Sequence, residues 1–213
     1  MKNKIISKSF IWMFIGLLIT FITGIIVASS ERMLTSVFSG WTYIIFIVLE
    51  LIMVIYLSSR IHKMSKSSAR IWFMFYSFIS GLTFSSVFVT FKVTSVIYVF
   101  LIAAILFLTF GLIGYKTKFD LTKIGTYFMM ALFAIIICMF VNFFLNSGVF
   151  ALILSIICIL LFLGITAYDV QKLKNMNTGE IPEDNLAIIG ALDLYLDFIN
   201  IFLNLISIFG DAD

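Results

Sequence analysis

Seven runs of apolar residues, each long enough to cross a lipid bilayer, constrain this chain more than any other feature of its sequence. A helix needs about 20 apolar residues to span a hydrocarbon core about 30 Å thick. Lipid offers no hydrogen bonds to the backbone, so each run must satisfy its own as a helix. The sequence therefore predicts an all-α polytopic membrane protein, with a single transmembrane domain over residues 1–213. The runs cover approximately 10–28, 41–59, 71–91, 93–115, 124–145, 148–168 and 186–209.

The composition excludes several other classes of protein. Charged residues make up 12% of the chain, about half the share that is usual in soluble domains. The runs are also apolar all round and too long for the alternating strands of an outer-membrane barrel. Cys138 and Cys158 lie inside apolar runs and His62 is the only histidine, so we expect no disulfide, no resident metal and no other cofactor. The net charge of +3 comes from loop residues and predicts no nucleic-acid partner.

The N-terminus has two interpretations. A basic start, an apolar run and the small residues at 28–30 are also typical of a signal peptide. The run 10–28 has 19 residues, more than the 7–15 usual for a signal peptide. Its length favours a first membrane helix.

The basic residues indicate the orientation, because cytoplasmic loops carry an excess of Lys and Arg. A cytoplasmic N-terminus leaves only Arg32 and Lys92 outside. Seven crossings then put the C-terminus outside, whereas a re-entrant 186–209 would give six. The other 12 of the 14 basic residues would be cytoplasmic: Lys2, Lys4, Lys8, Arg60, Lys63, Lys66, Arg70, Lys116, Lys118, Lys123, Lys172 and Lys174.

Four carboxyl groups lie in or beside the predicted spans, where charged groups are costly and usually functional. Glu50 lies near the middle of the second span and is a candidate for the ion path; a structural hydrogen bond to another helix is the alternative. Asp169 ends the sixth span and could instead be an interfacial partner of lysine. Asp193 and Asp197 begin a polar stripe in the seventh span, continued by two asparagines at intervals of three and four residues.

A sixth helix that continues to Lys174 would place Asp169 below the membrane surface, facing the polar stripe. Two carboxyls that share a buried site cannot both ionise cheaply, so they titrate as a unit. Such a pair shares a proton at low pH and separates when deprotonated. The pattern therefore predicts a pH switch between the sixth and seventh helices.

Several motifs resemble the transmembrane Bax inhibitor motif family. They are "GALDLYLDFINIFLNLISIFG" (190–210), "FGLIGYKTKFDLTKIG" (110–125), "FYSFISGLTFSSVF" (75–88) and "AYDVQKL" (167–173), together with the second-span glutamate. The resemblance covers essentially the whole chain, and its C-terminal motif is specific.

The bacterial, YetJ-like branch of that family implies a fold in which two three-helix layers surround a central C-terminal helix. It implies a pH-sensitive calcium leak in the bacterial plasma membrane, with calcium as permeant ion and protons as regulator. Carried over by motif, Asp169 and Asp197 form the di-aspartyl gate and bind calcium transiently, and Arg60 is a latch. Asp193 stands where the resemblance leads us to expect serine, so it could compete with Asp197 for Asp169.

Two other functions use similar residues. An intramembrane aspartyl protease also needs two aspartates on facing helices, but the sequence lacks a GxGD motif and a PAL-type motif. We therefore do not expect an enzyme. A proton- or cation-coupled transporter could use the same carboxyls, and flux against a gradient would distinguish it from a leak.

Overall fold

The computed structural model describes residues 2–176 and 181–212. Within them the chain forms eight α-helices and no strand, which confirms the all-α fold. Seven helices are long and apolar enough to cross a membrane. The predicted topology also assigns residue 213 to one side of the membrane. This residue lies outside the described residues. The helices are α1 (Lys2–Ala28), α2 (Glu31–Phe38), α3 (Thr42–Arg60), α4 (Lys66–Thr90), α5 (Val93–Lys116), α6 (Thr122–Leu145), α7 (Gly148–Asn175) and α8 (Glu183–Phe209).

The short helix α2 is the one α-helix of the described residues that the apolar runs did not predict. It has only 8 residues, and its side chains include both polar and apolar groups. Ser30 caps its N-terminus by accepting a hydrogen bond from the Met33 amide. A search for long apolar runs misses such a segment because it is short and half of its side chains are polar.

Two helices extend beyond their apolar runs at the places where polar residues lie. Helix α7 continues to Asn175, which confirms the continuation that would carry Asp169 below the membrane surface. Helix α8 begins immediately after Pro182, whose carbonyl accepts the amide of Leu186 at 3.1 Å. Two thirds of the most apolar stretch of α8 is buried, the largest share among the seven long helices. Its high burial agrees with the expected central position of the last helix.

The chain divides into two compact units. Unit 1 contains α1 to α4 and α8 as far as Tyr195. Within it, α1 and α4 approach so closely that a methyl group on Gly81 would lie 2.6 Å from the Thr23 β-carbon and 2.9 Å from the Thr20 carbonyl oxygen. Small residues permit this kind of packing between membrane helices.

Contacts at the two ends of unit 1 show how α8 runs in it. Asp184, at the start of α8, lies 2.8 Å from Lys8 on α1 and 3.2 Å from Arg70 on α4. At the other end, Ala212 forms a bridge with Phe91, which follows α4. The start of α8 therefore lies beside the start of α4, and the residue Ala212, which follows α8, lies beside the end of α4.

Unit 2 contains α5, α6, α7 and the part of α8 that begins at Leu196. Helices α5 and α7 meet at Gly114, where a methyl group would lie 2.0 Å from the Ala167 carbonyl oxygen. The α8 segment packs against α5 through Phe198, whose ring centroid lies 5.2 Å from that of Phe100 and 5.6 Å from that of Phe107. Unit 2 therefore holds its helices together with aromatic rings and direct backbone contact.

Candidate functional site: intramembrane carboxyl groups

Asp169 lies on the part of α7 that extends beyond the apolar run, and only 7% of its surface is exposed. One carboxylate oxygen lies 3.8 Å from the Lys172 ammonium group. This distance exceeds that of a hydrogen bond but allows an attraction between charges. Lys174, the other lysine considered as a partner, instead donates to the Tyr115 carbonyl oxygen at 2.6 Å.

The position of Asp169 is fixed by contacts on both sides of it in sequence. Two residues earlier, Ala167 touches α5 at Gly114. Two residues later, Gln171 accepts a hydrogen bond from the Leu121 amide at 2.8 Å and donates one to the Phe119 carbonyl at 2.7 Å. These bonds tie α7 to the loop that precedes α6.

Asp197 is the more deeply buried of the two aspartates, with 3% of its surface exposed. It belongs to unit 2, as Asp169 does. The next residue, Phe198, lies between the rings of α5. The structure therefore places two nearly inaccessible carboxyl groups in one compact, largely apolar unit. Their assignment as a gate stays a prediction.

Asp193 differs from Asp197 in burial and in the unit to which it belongs. It is half-buried and lies in the part of α8 that belongs to unit 1. The alternative assignment, in which Asp193 replaces Asp197, stays a prediction.

The two asparagines of the polar stripe bond to their own helix. The side-chain amide of Asn200 donates to the Leu196 carbonyl, and that of Asn204 donates to the Asn200 carbonyl, both at 2.8 Å. Each amide therefore satisfies a donor without reaching another helix. Sequence spacing placed these residues on one face correctly but did not reveal this local bonding.

Glu50 lies in unit 1 and is half-buried on α3. One of its oxygens accepts a hydrogen bond from Ser80, and the other lies 2.9 Å from the Thr83 hydroxyl. Both partners come from α4, within the hydroxyl-rich segment 76–86. The hydrogen bond to another helix that was the alternative for Glu50 is present, and a part of Glu50 in the ion path stays a prediction.

Arg60, the latch implied by the family resemblance, is the last residue of α3 and is exposed. It belongs to unit 1, whereas the two buried aspartates belong to unit 2. Its pairing with a carboxylate therefore stays a prediction.

A group of charges at one end of unit 1 was not predicted from sequence. Lys8 lies 2.9 Å from Glu183 and 2.8 Å from Asp184, and Asp184 also lies 3.6 Å from Lys66 and 3.2 Å from Arg70. We call these five residues the ionic cluster. Its three basic members serve in the sequence analysis only as signals of orientation. Their meeting depends on tertiary structure.

Residues 2–176 and 181–212 include no group of three or more His, Cys, Asp or Glu side chains of the kind that holds a resident metal ion. Cys158 is buried, Cys138 is partly exposed, and both are free thiols. The carboxyl groups on α3, α7 and α8 are thus the principal candidates for chemistry inside the membrane.

Seven membrane-length helices, with buried carboxyl groups on the last two, define a polytopic membrane protein whose interior contains ionisable groups. Comparison with known families identifies it further. The family described as inhibitor of apoptosis-promoting Bax1 matches residues 2–213. The chain therefore belongs to this Bax inhibitor-like family, as its motifs predicted.

Several bacterial relatives match nearly the whole chain. The inner membrane protein YbhL of Escherichia coli K12 is 40% identical over 206 residues, covering 94% of this chain and 88% of YbhL. A protein of Borreliella burgdorferi is 36% identical over 215 residues, covering 98% of this chain and 92% of that protein. A protein of Deinococcus radiodurans is 33% identical over 210 residues, with shares of 97% and 90%.

Proposed function

We propose that this protein is a calcium leak channel of the bacterial inner membrane, and that Asp169 and Asp197 form its pH-sensitive gate. One observation carries the proposal: unit 2 buries both carboxyl groups almost completely. Membership of the Bax inhibitor-like family supports it. The name of the relative YbhL supports the inner membrane as its location.

The gate works through proton sharing. At low pH the two carboxyls share a hydrogen bond, which holds α7 and α8 together. As the pH rises the shared proton leaves, and two negative charges face each other where water is scarce. At an effective dielectric of about 20, unit charges about 4 Å apart repel by roughly 4 kcal/mol. A tenfold change in an equilibrium needs only about 1.4 kcal/mol, so this repulsion is enough to open the gate.

Calcium then replaces the lost proton as the partner of the two carboxylates. Ca²⁺ prefers several carboxylate and carbonyl oxygens as ligands. It binds the pair transiently as cargo and passes on. Leak therefore rises with pH. Lys172 lies 3.8 Å from Asp169, and Arg60 is the proposed latch of the closed state.

Calcium flux into proteoliposomes at a series of pH values tests this function. The unmodified protein should leak more as the pH rises, and Asp169→Asn or Asp197→Asn should flatten that dependence. Asp193→Asn is the matched control, since it removes a carboxyl four residues away on the same helix. Loss of the pH dependence in Asp193→Asn, with the dependence kept in Asp197→Asn, would show that the pair is wrongly assigned.

The direction of flux separates a leak from a coupled transporter. A leak carries calcium only down its gradient, whereas an exchanger that uses the same carboxyls moves calcium uphill when a proton gradient is imposed. We expect no uphill movement. Calcium accumulation driven by protons would favour the transporter.

We further propose a cytoplasmic N-terminus and a C-terminus outside. The distribution of Lys and Arg supports this orientation, and the contacts that join the two ends of α8 to the corresponding ends of α4 agree with an odd number of crossings. A cysteine introduced at position 212 should react with an impermeant reagent from outside. Reaction only from the cytoplasm would contradict it.

Glu50 is also proposed to influence conduction. Glu50→Gln keeps the size of the side chain but removes its charge and turns one acceptor oxygen into an amide donor. We expect reduced calcium flux from a protein that still folds. Unchanged flux would exclude the conduction role without affecting the gate.

A further inference from the structure

The hydroxyl groups around Glu50 form a network of their own in unit 1. The Thr83 hydroxyl oxygen lies 2.9 Å from a Glu50 carboxyl oxygen and 2.9 Å from the Ser80 carbonyl oxygen. A hydroxyl has one hydrogen to donate, and a carbonyl oxygen can only accept. When Thr83 donates to the carbonyl, its contact with Glu50 needs a proton on the carboxyl. When Glu50 is ionised, Thr83 turns its hydrogen towards the carboxylate.

The same count of donated hydrogens applies to the hydroxyl groups of Thr20 and Tyr195, which lie near Ser80. The Thr20 hydroxyl lies 2.9 Å from the Ser77 carbonyl oxygen and 2.7 Å from the Tyr195 hydroxyl. Because the carbonyl only accepts, Thr20 donates to it and Tyr195 donates to Thr20. The oxygen of Tyr195 is then left as an acceptor beside the Ser80 side chain.

Ser80 therefore has two uses for its single hydrogen. It donates to Glu50 when the carboxyl is ionised, and it can turn towards the phenol oxygens of Tyr76 and Tyr195 when it accepts the carboxyl proton. The neutral carboxyl has one proton, so only one hydroxyl accepts it at a time: when Ser80 accepts it, Thr83 donates to the other carboxyl oxygen, and when Thr83 accepts it, Ser80 donates to the other oxygen. Both charge states of Glu50 thus fit one arrangement of heavy atoms and differ only in the rotation of hydroxyl hydrogens.

In the part of the chain that the structure describes, the surroundings of Glu50 contain phenol groups and no paired cation. The titratable groups beside it are the phenols of Tyr76 on α4 and Tyr195 on α8. Within residues 2–176 and 181–212, no basic side chain forms an ion pair with Glu50. A carboxylate without a cation is costly in the middle of a membrane span. Other protein atoms cover Glu50 only in part.

We infer that Glu50, with Ser80 and Thr83, forms a proton-binding site inside the membrane that is separate from the proposed gate. Its ligand is a proton, and the two hydroxyl groups stabilise the protein with and without it. This inference goes beyond the calcium leak, because proton binding at Glu50 is measurable without any flux.

Labelling with dicyclohexylcarbodiimide, an apolar reagent that attacks protonated carboxyl groups, tests the site. The full chain in liposomes is labelled at a series of pH values, and mass spectrometry measures the modification of Glu50. The yield should fall as the pH rises, by about tenfold for each pH unit above the midpoint. Glu50→Gln should abolish it. A yield at Glu50 that does not change with pH would overturn the inference.

Variants of the hydroxyl partners sharpen the test. Ser80→Ala or Thr83→Val removes a donor to the ionised carboxylate, so labelling should persist to a higher pH. Ser85→Ala is the matched control on α4, since its hydroxyl donates only to the Leu82 carbonyl of its own helix. Equal midpoints in all of these variants would show that the hydroxyl groups do not form the site.

Two further measurements separate this inference from the proposed leak and from poor access of the reagent. Asp197→Asn should leave the labelling of Glu50 unchanged, whether or not calcium leaks. Infrared difference spectra between acid and alkaline pH should contain a protonated carboxyl band that Glu50→Gln removes. A protein with neither pH-dependent labelling nor that band does not bind a proton at Glu50.

Discussion

Units 1 and 2 both contain acidic side chains inside membrane-length helices, but they surround them differently. In unit 1, Glu50 faces the hydroxyl groups of Ser80 and Thr83, which can donate or accept. In unit 2, Asp169 and Asp197 are nearly inaccessible and lie beside aromatic rings and close backbone contacts. Hydroxyl partners let one carboxyl hold either charge state without moving a helix. In unit 2 the proposed gate instead makes charge and helix position depend on each other.

The largest expected effect tests the close backbone contact in unit 2. In Gly114→Ala the new methyl group would lie 2.0 Å from the Ala167 carbonyl oxygen, so α5 and α7 must move apart. We expect a loss of stability of about 1–3 kcal/mol, as is usual for overpacking, and a displaced Asp169. Thermal unfolding in detergent measures the loss.

Gly148→Ala is the matched control for this prediction. It lies at the start of α7 with no atom within 4 Å of the added methyl group, and alanine favours helix formation. Its stability should stay the same or increase. Equal stability of the two variants would mean that direct backbone contact does not hold unit 2 together.

The next effect tests the ionic cluster of unit 1. Asp184 faces three cations, and its side chain is only 18% exposed. Asp184→Asn leaves those cations together without a shared anion, and we expect a loss of about 1–2 kcal/mol. High salt should reduce the difference from the unmodified protein, because ions screen partly exposed charges.

Glu183→Gln provides the comparison. Glu183 contacts Lys8 alone, and Lys8 keeps Asp184 as a partner. The loss of stability in Glu183→Gln should stay below about 1 kcal/mol, as for exposed pairs. A Glu183 variant as unstable as the Asp184 variant would show that the charges act as separate pairs.

The membrane spans and the ionic cluster also differ in how well the sequence predicts them. Long apolar runs identify the seven spans because the bilayer imposes their length. Asp169 and Asp197 are recognisable because charges are rare in such runs. The meeting of Lys8 with Asp184, 176 residues later, has no local signal. Any basic residue near a membrane surface has the same pattern, so only tertiary structure selects the partner.

The polar stripe of α8 shows a subtler limit. Helical spacing correctly groups Asp193, Asp197, Asn200 and Asn204 on one face. It cannot separate side chains that bond to their own backbone, as the two asparagines do, from those that face another helix. The same period describes both. The stripe alone therefore does not show which of its residues act in the site.

The smallest effect tests that distinction. Asn200→Leu removes an amide whose donor bonds to the Leu196 carbonyl of the same helix. We expect a change in stability within about 0.5 kcal/mol and an unchanged pH dependence of calcium flux. A flattened pH profile in this variant would add Asn200 to the gate.

The proposed gate is tested most directly by a double-mutant cycle on the pH dependence of calcium flux. If Asp169 and Asp197 share one proton, either asparagine substitution removes the whole response, and the double variant adds nothing further. The account predicts the same flat profile for Asp169→Asn, Asp197→Asn and the variant that carries both. Single variants that each keep part of the response, with effects that add in the double variant, would contradict a shared proton.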